Sequence, residues 1–444
     1  MVSLTVAQGA AMFLSFLFYI VAARVLAPHG FGIVRYTITL SEVAFGVLQV
    51  LSTSLVRELG AARGCEARTG EVLGTSLVAS ALLWLVSCGA CLACCAAGLT
   101  GSADTVGLLV VFSGLTAFTL YWSIGRGVGE VRRMAITYIG GSAVQLAAFV
   151  AMVALYRPGP RVALVVFGLS DFVPIIVCEA VRPLIRGRHM KVTRSELRHL
   201  WELGRYLLAA QLFYMIWNAA DQAWVDNHFG SAQVGFYGAA SNLARVFLVL
   251  QIGVATVLLP RVAELREQNK DGSARRLVWG SMAAVGLIAT ALFALIAVGR
   301  EPLLDVLYGH VYIAAEGALL GLGASMLVYT SFATLTTAAV GWGRPGVYLL
   351  GMGCSAAAQL IGFELVGVNG STQTAWVHAG SICVGMMAVC LRLLQRPLQD
   401  RSSSRDARGH VRLRLEQSGP NKVRALGAPF EGGPIREPEL AQEG

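Results

Sequence analysis

The 444-residue chain is 55% hydrophobic and 14% charged and carries 50 glycines, where a soluble globular protein holds about 25% charged residues. Too few charged side chains remain to coat a water-soluble body, so soluble, disordered, coiled-coil, collagen-like and disulfide-scaffold classes are excluded. A polytopic membrane protein is left. The net charge of +9 is carried mostly by Arg, with Lys only at positions 191, 270 and 422; it follows membrane topology, as shown below, and not a nucleic-acid surface.

A helix needs about 20 apolar residues to cross the hydrocarbon core. In chain order, such runs fall at 2–26, 33–55, 72–98, 104–124, 134–155 and 162–183, then at 203–225, 234–259, 277–298, 312–340, 347–366 and 375–394. The fold class expected is therefore all-α integral membrane, with about 12 transmembrane helices. The first run has no Lys or Arg before Arg24 and is long enough to span. It reads as an uncleaved helix and not a signal peptide, and its start so close to Met1 suggests that a short cytoplasmic leader precedes it. In the third run Cys88, Cys91, Cys94 and Cys95 repeat a C-x-x-C spacing. With no His or second Cys pair in a nearby loop, they read as small apolar residues of a membrane helix and not as a metal site.

The basic residues orient these helices. Even-numbered loops hold nineteen: Arg57, Arg63, Arg68; Arg126, Arg132, Arg133; Arg182, Arg186, Arg188, Lys191, Arg194, Arg198, Arg205; Arg261, Arg266, Lys270, Arg275, Arg276; and Arg344. Odd-numbered loops hold Arg157, Arg161 and Arg300. The positive-inside rule places the even loops and both termini in the cytoplasm. Four segments follow: a six-helix bundle at 1–185, a basic cytoplasmic linker at 186–202, a second bundle at 203–395, and a cytoplasmic tail at 396–444. Leu197, Leu200, Trp201 and Leu203 make the linker either an amphipathic surface helix or a plain connection. The tail, rich in Arg, Ser, Glu, Gly and Pro, has the composition of a disordered segment.

Six helices, a link and six helices suggest a duplication. Gly30-Phe31-Gly32 follows the first helix and Gly235-Phe236-Tyr237-Gly238 the seventh, an offset of 205. Ser54–Arg57 ends the second and Leu258–Arg261 the eighth, an offset of 204. Two pseudo-repeated bundles around a central cavity are expected from this pattern.

The same stretches carry a resemblance. Ala22-Ala23-Arg24-Val25-Leu26-Ala27-Pro28-His29-Gly30-Phe31-Gly32 resembles the loop after helix one of bacterial polysaccharide flippases of the Wzx type, although Ala27 stands where that family prefers Gly. Asp221, Phe229-Gly230 and Val234-Gly235-Phe236-Tyr237-Gly238-Ala239-Ala240 are similar to its helix-seven to helix-eight signature. Leu259-Pro260 and the Ser123-Ile124-Gly125-Arg126-Gly127 turn add to it, and the likeness covers roughly 3–395. The family belongs to the multidrug/oligosaccharidyl-lipid/polysaccharide exporter superfamily. The resemblance implies a transporter that turns polyprenyl-pyrophosphate-linked oligosaccharides across the inner membrane by alternating access. The implied partners are the lipid-linked oligosaccharide, membrane lipids, a polysaccharide polymerase and glycosyltransferases.

Charges inside spans are costly unless they face a cavity or a partner. Arg24 and Arg35 flank the first outer loop, Asp221 lies near the outer end of helix seven, and Arg245 lies near the middle of helix eight. Glu42 and Asp171 lie within helices two and six. The candidate cavity residues are Arg24, Arg35, Trp217, Asn218, Asp221 and Arg245. For Arg24 and Arg35 the alternative is snorkelling to head groups. For Asp221 it is a structural bond to backbone or Arg, and for Arg245 an internal salt bridge to Asp171 or Asp221. Gln211, Tyr214, Trp217 and Asn218 form a polar-aromatic stripe that lines a sugar path or packs helices. Guanidinium suits pyrophosphate because it donates two parallel hydrogen bonds and stays charged.

No H-E-x-x-H, G-x-S-x-G or Walker A sequence is present, and no outer loop is long enough for a catalytic domain; an enzyme of envelope glycan assembly is disfavoured. No cofactor or metal is expected, and coupling to a proton or sodium gradient is compatible with the pattern. A drug/cation antiporter of the same superfamily is the first rival, weakened because helix one carries no Asp or Glu. A peptidoglycan-precursor flippase is another rival, with the same mechanism and a different cargo.

Overall fold

The computed structural model describes residues 2–61, 66–98, 100–156, 158–181, 183, 191–268 and 270–395. Met1–Cys390 forms one compact unit; of the second, Leu391–Gly444, only 391–395 are described. The basic stretch 184–190 and the tail 396–444, expected as linker and disordered segment, lie outside the described residues.

Among the described residues the helices follow one another as twelve successive stretches. The first two share the stretch Val2–Ala61, divided at Ala27 into helix one (2–26) and helix two (28–61). Helices three to five are Glu66–Ala96, Thr105–Val128 and Val131–Leu155. Helix six is Pro160–Ser170 followed by Phe172–Val181, helix seven Arg194–Phe229, and helix eight Ser231–Ala244 followed by Phe247–Glu267. Helix nine is Asp271–Tyr308. Helix ten opens on a 3-10 turn, His310–Ala315, and continues as Glu316–Gly341. Helices eleven and twelve are Pro345–Val366 and Ser371–Gln395.

Among the described residues nine stretches pass a length-and-hydropathy test for crossing a membrane, one of which, Val6–Gly46, runs through the Ala27 turn and so contributes to two spans. Helices seven and eight are absent from that set. Helix seven carries Gln211, Asn218, Asp221, Gln222 and Asp226 within its span, and helix eight is divided into segments of 14 and 21 residues.

The structure corrects the sequence reading at three places. Helix six is interrupted at Asp171. Pro174 has no N–H for the carbonyl of Ser170, and its ring crowds that carbonyl, so the ladder parts one turn upstream. Helix eight is interrupted at Arg245–Val246, where the bonds Val246 N to Leu243 O (3.2 Å) and Leu248 N to Arg245 O (2.9 Å) run over three residues, the tighter 3-10 pattern. Finally, residues 194–202 begin helix seven itself instead of forming a separate surface helix.

The duplication is visible in the backbone, at an offset of 203 rather than 204–205. Ala27 has φ 56, ψ 172 and Gly230 has φ 79, ψ 171, so both halves turn from their first helix into their second in the same conformation. A Cβ on Gly32 would lie 1.7 Å from the carbonyl oxygen of Ser231, and one on Gly235 would lie 2.0 Å from that of Pro28. The contacts are reciprocal: Pro28 and Ser231 are equivalent positions, as are Gly32 and Gly235. Helices two and eight therefore cross on a pseudo-two-fold axis, backbone against backbone, where only glycine fits. A small-residue step elsewhere, Gly317 and Gly321, seats helix ten against Thr372 and Ala375 of helix twelve.

Ala27 occupies a region of φ/ψ space that is essentially reserved for glycine and costs of order 1–3 kcal/mol. Ala27→Gly is expected to raise the thermal unfolding temperature of the purified protein. Gly230→Ala, which imposes the same strain on the other half, is expected to lower it. Melting curves of the two variants beside the wild type check this; a drop for Ala27→Gly refutes the strain.

Candidate functional site

Beyond the glycine crossing, helices two and eight diverge and a cavity of about 950 Å³ opens between the halves, at the upper end of the range for small-molecule sites. It extends from Glu42 and Arg245 toward the end of the molecule where helix one begins (Gln8) and helices four and five turn (Arg126). The opposite end is closed by contacts between the halves. Arg24 donates to the carbonyls of Val306 and, at 2.9 Å, Leu307. His29 Nδ1 meets Ser231 Oγ at 2.6 Å, Asp226 accepts from the Ser102 amide at 2.8 Å, and Tyr312 donates to the Ala23 carbonyl at 3.0 Å.

At the apex Arg245 makes a two-pronged bond to Glu42, Nη1 to Oε1 at 3.2 Å and Nη2 to Oε2 at 3.0 Å. The two side chains are 24% and 26% exposed and both line the cavity. Each residue is the fourteenth after the start of its helix, about 21 Å along it. Glu42 and Arg245 are themselves equivalent positions at the offset of 203, so the pair bridges the pseudo-two-fold axis. The partner is thus Glu42, not Asp171 or Asp221 as the sequence suggested. The 3-10 turn at Arg245–Val246 follows at once and bends helix eight away from helix two.

Arg245 is placed on the cavity wall; the other candidates lie elsewhere. Arg24 caps the last carbonyls of helix nine, a favourable place for a cation. Arg35 is 1% exposed, lies against Gly238 and sits 5.6 Å from the Tyr19 ring centroid; its guanidinium nitrogens have no hydrogen-bond partner among the described residues. Asp221, 3% exposed, accepts from Tyr237 at 2.6 Å and has His378 Nδ1 at 3.6 Å. Asp221 also accepts from the Gln222 backbone amide at 2.7 Å, so the structural bond to backbone that the sequence offered is present, joined by one from a tyrosine. Trp217 is buried, donates to Ser381 at 2.9 Å and stacks between Tyr329 and His378. Asn218 is half-buried on the same helix and does not line the cavity. The helix-seven stripe is thus a packing face for helices ten and twelve, with Gln211 reaching the cavity residue Gln49 at 3.1 Å.

Sequence reasoning misses most of the wall. Tyr19, Gln145, Asn242 and Arg126 line the cavity, as do Asp171 and Glu42; the last two stand out in the sequence as membrane charges, but nothing there places them in a site. The cavity is built mainly from helices one, two, four, five and six, closed by helices eight and nine.

The chain matches the family described as "Polysaccharide biosynthesis protein" over residues 21–316. Comparison with curated proteins finds no match by sequence. Among solved structures, an inward-facing multidrug resistance MATE family transporter of the MOP superfamily superposes with a TM-score of 0.73 at 15% identity, covering 88% of this chain and 96% of that one. The Lipid II flippase MurJ in an inward closed conformation gives 0.70 at 12% identity, covering 90% and 89%. An outward-facing MATE family transporter gives 0.64 at 16% identity, covering 89% and 93%. At these identities the likeness concerns the fold.

Breaking a well-buried ion pair costs several kcal/mol, and an exposed one almost nothing. For the quarter-exposed pair at the apex, Glu42→Gln or Arg245→Gln alone is expected to cost about 1–3 kcal/mol. Because the two positions are related by the axis, the exchanged pair Glu42→Arg with Arg245→Glu is expected to recover at least half of that loss in a thermal unfolding assay. No recovery in the double variant would show that the pair is not interchangeable across the axis.

Proposed function

We propose that this chain, which belongs to the polysaccharide biosynthesis protein family, flips a polyprenyl-pyrophosphate-linked oligosaccharide across the bacterial inner membrane by alternating access. The observation that carries the reading is the cavity: large, partly lined by polar side chains, closed at one end and headed by an arginine whose two-pronged donor face Glu42 holds. A sugar pyrophosphate cannot cross hydrocarbon unaided, whereas its isoprenoid tail can stay in lipid. The wall between helix one and helices eight and nine suits such a tail. It is built of Met12, Phe13, Val246, Leu292 and Leu295, with Phe13 and Leu295 well exposed.

Arg245 engages the pyrophosphate. Glu42 holds the guanidinium in place while the cavity is empty, since an unpaired arginine at that depth costs roughly 2.5–3.5 kcal/mol on insertion scales. Cargo then replaces one charged partner by another. Nineteen basic residues in the even loops put the open end of the cavity, and both termini, in the cytoplasm. The structure on this reading is the loading state, in keeping with its higher similarity to inward-facing than to outward-facing relatives. Rocking the two halves about the helix two–helix eight crossing closes one end and opens the other. The mechanism needs no cofactor and no catalytic residue, and a proton or sodium gradient supplies the energy for net movement. Glycosyltransferases that build the unit inside and a polymerase that consumes it outside are its functional partners.

Two measurements test this. Reporter fusions after Thr100 and after Gln399 are expected to read periplasmic and cytoplasmic; a periplasmic signal at the second refutes the orientation. Arg245→Ala is expected to cut polysaccharide export at least about tenfold at protein levels within about twofold of wild type, with Arg245→Lys intermediate because an ammonium lacks the fork. Wild-type export from Arg245→Ala removes Arg245 from the site.

A further inference from the structure

The wall of the cavity facing Arg245 is unlike the tail-side wall. Phe118, Trp122 and Tyr138 form one aromatic cluster there: Phe118 stacks on Trp122 at 6.3 Å and 17°, while Tyr138 lies 5.2 Å from Phe118 and 5.0 Å from Trp122. All three line the cavity, together with Ser142, Gln145 and Asp171. These six side chains come from three consecutive helices, four, five and six. Asp171 stands at the break that Pro174 imposes on helix six, which places its carboxylate beside Gly141: a Cβ on that glycine would lie 3.5 Å from Oδ1. Gln145 is 5% exposed, yet its amide nitrogen has no hydrogen-bond partner among the described residues. A buried donor without an acceptor is costly, and here it borders an open cavity.

Flat aromatic faces beside a carboxylate, a primary amide and a hydroxyl are the complement of a pyranose, which presents C–H groups on its faces and hydroxyls around its rim. A carboxylate accepts from two hydroxyls and an amide donates to a third, while the rings take the apolar face. A lipid tail offers nothing to Gln145 or Asp171, and a pyrophosphate is repelled by Asp171.

We propose that helices four, five and six form a saccharide subsite in which Asp171 and Gln145 hydrogen-bond the hydroxyls of a pyranose ring stacked against the Trp122–Tyr138 cluster. This rests on the flippase reading and divides the cavity into three: pyrophosphate at Arg245, sugar on helices four to six, isoprenoid between helix one and helices eight and nine. Sites built to satisfy hydroxyls discriminate strongly against ligands that lack them, because their own polar groups are then left unpaired. The subsite is therefore where cargo choice is made.

The test uses the full-length protein in lipid nanodiscs and two soluble probes, farnesyl diphosphate and farnesyl-diphospho-N-acetylglucosamine, with dissociation constants measured by thermophoresis. The wild type is expected to bind the sugar-bearing probe at least about tenfold more tightly. Asp171→Asn and Gln145→Leu are each expected to shrink that ratio to about threefold or less while leaving the affinity for farnesyl diphosphate within about twofold, which also shows that the variants are folded. Equal affinity of the wild type for both probes overturns the subsite and leaves the flippase reading standing. A wild-type ratio retained in both variants overturns the residue assignment. Failure of the wild type to bind either probe overturns the flippase reading itself.

Discussion

Everything functional in this molecule hangs on the crossing of helices two and eight at Gly32 and Gly235. No other residue type permits that approach, because a single methyl group on either would enter the carbonyl of the opposite half. The contact brings two equivalent helices together on the axis that relates the halves, and it does so near one end only. Further along, the same helices carry side chains that need room, Glu42 and Arg245, and helix eight relaxes into a 3-10 turn. A V-shaped pair pinned at its narrow end is thus a direct consequence of small residues first and large polar residues later. The cavity is the open part of the V.

The ion pair at the apex follows from the pseudo-two-fold relation of the halves. Equivalent helices place the same position on both sides of the axis, so identical charges there would face each other. Like charges at that separation in a low-dielectric setting are strongly unfavourable, whereas opposite charges satisfy one another. The pairing of Glu42 in one half with Arg245 in the other, opposite in charge at equivalent positions, avoids that conflict. It also breaks the symmetry of the cavity, since the guanidinium presents donors and the carboxylate acceptors. The same asymmetry appears higher up the axis, where Arg35 in the first half packs over Gly238, its equivalent in the second.

Much of the fold is legible in the sequence. Hydropathy and the alternation of arginines locate all twelve spans, because the bilayer demands long apolar helices whatever their packing. The duplication is legible too, but two residues out of register at its first landmark: a short Gly-aromatic likeness aligns Gly30 with Gly235, whereas the reciprocal contact aligns Gly32. The break at Asp171 is readable in principle from Pro174. The break at Arg245 is not, since no Pro or Gly marks it. The candidate site is the least legible part. A charge inside a span signals a cavity or a partner with equal force, and separations such as the 203 residues between Glu42 and Arg245 leave no local trace. Arg24 is satisfied instead by carbonyls and Asp221 by a tyrosine and a backbone amide, while Arg35 is buried beside the Tyr19 ring. Gln145 and Tyr19 give no signal because a neutral polar or aromatic residue on a membrane helix is ordinary until its face is known.

On the proposed flippase reading, the arrangement of the cavity walls makes the protein tolerant of its cargo's tail and choosy about its head. The tail side is a run of Met, Phe, Val and Leu side chains with no fixed polar group, so its grip on an isoprenoid is non-directional and indifferent to length. The opposite side concentrates the directional groups. Two of them are set by a backbone irregularity or by a close contact between helices, Asp171 by the break before Pro174 and Ser142 by its 3.2 Å contact with Ser15 of helix one; across the cavity Arg245 is held by the pair with Glu42. Directional groups held on rigid elements confer selectivity only when they cannot rearrange to suit a wrong ligand. On the proposed reading, rocking the halves as bodies would preserve both conditions, because helices four, five and six would carry their geometry with them while the pair on the axis would be displaced least.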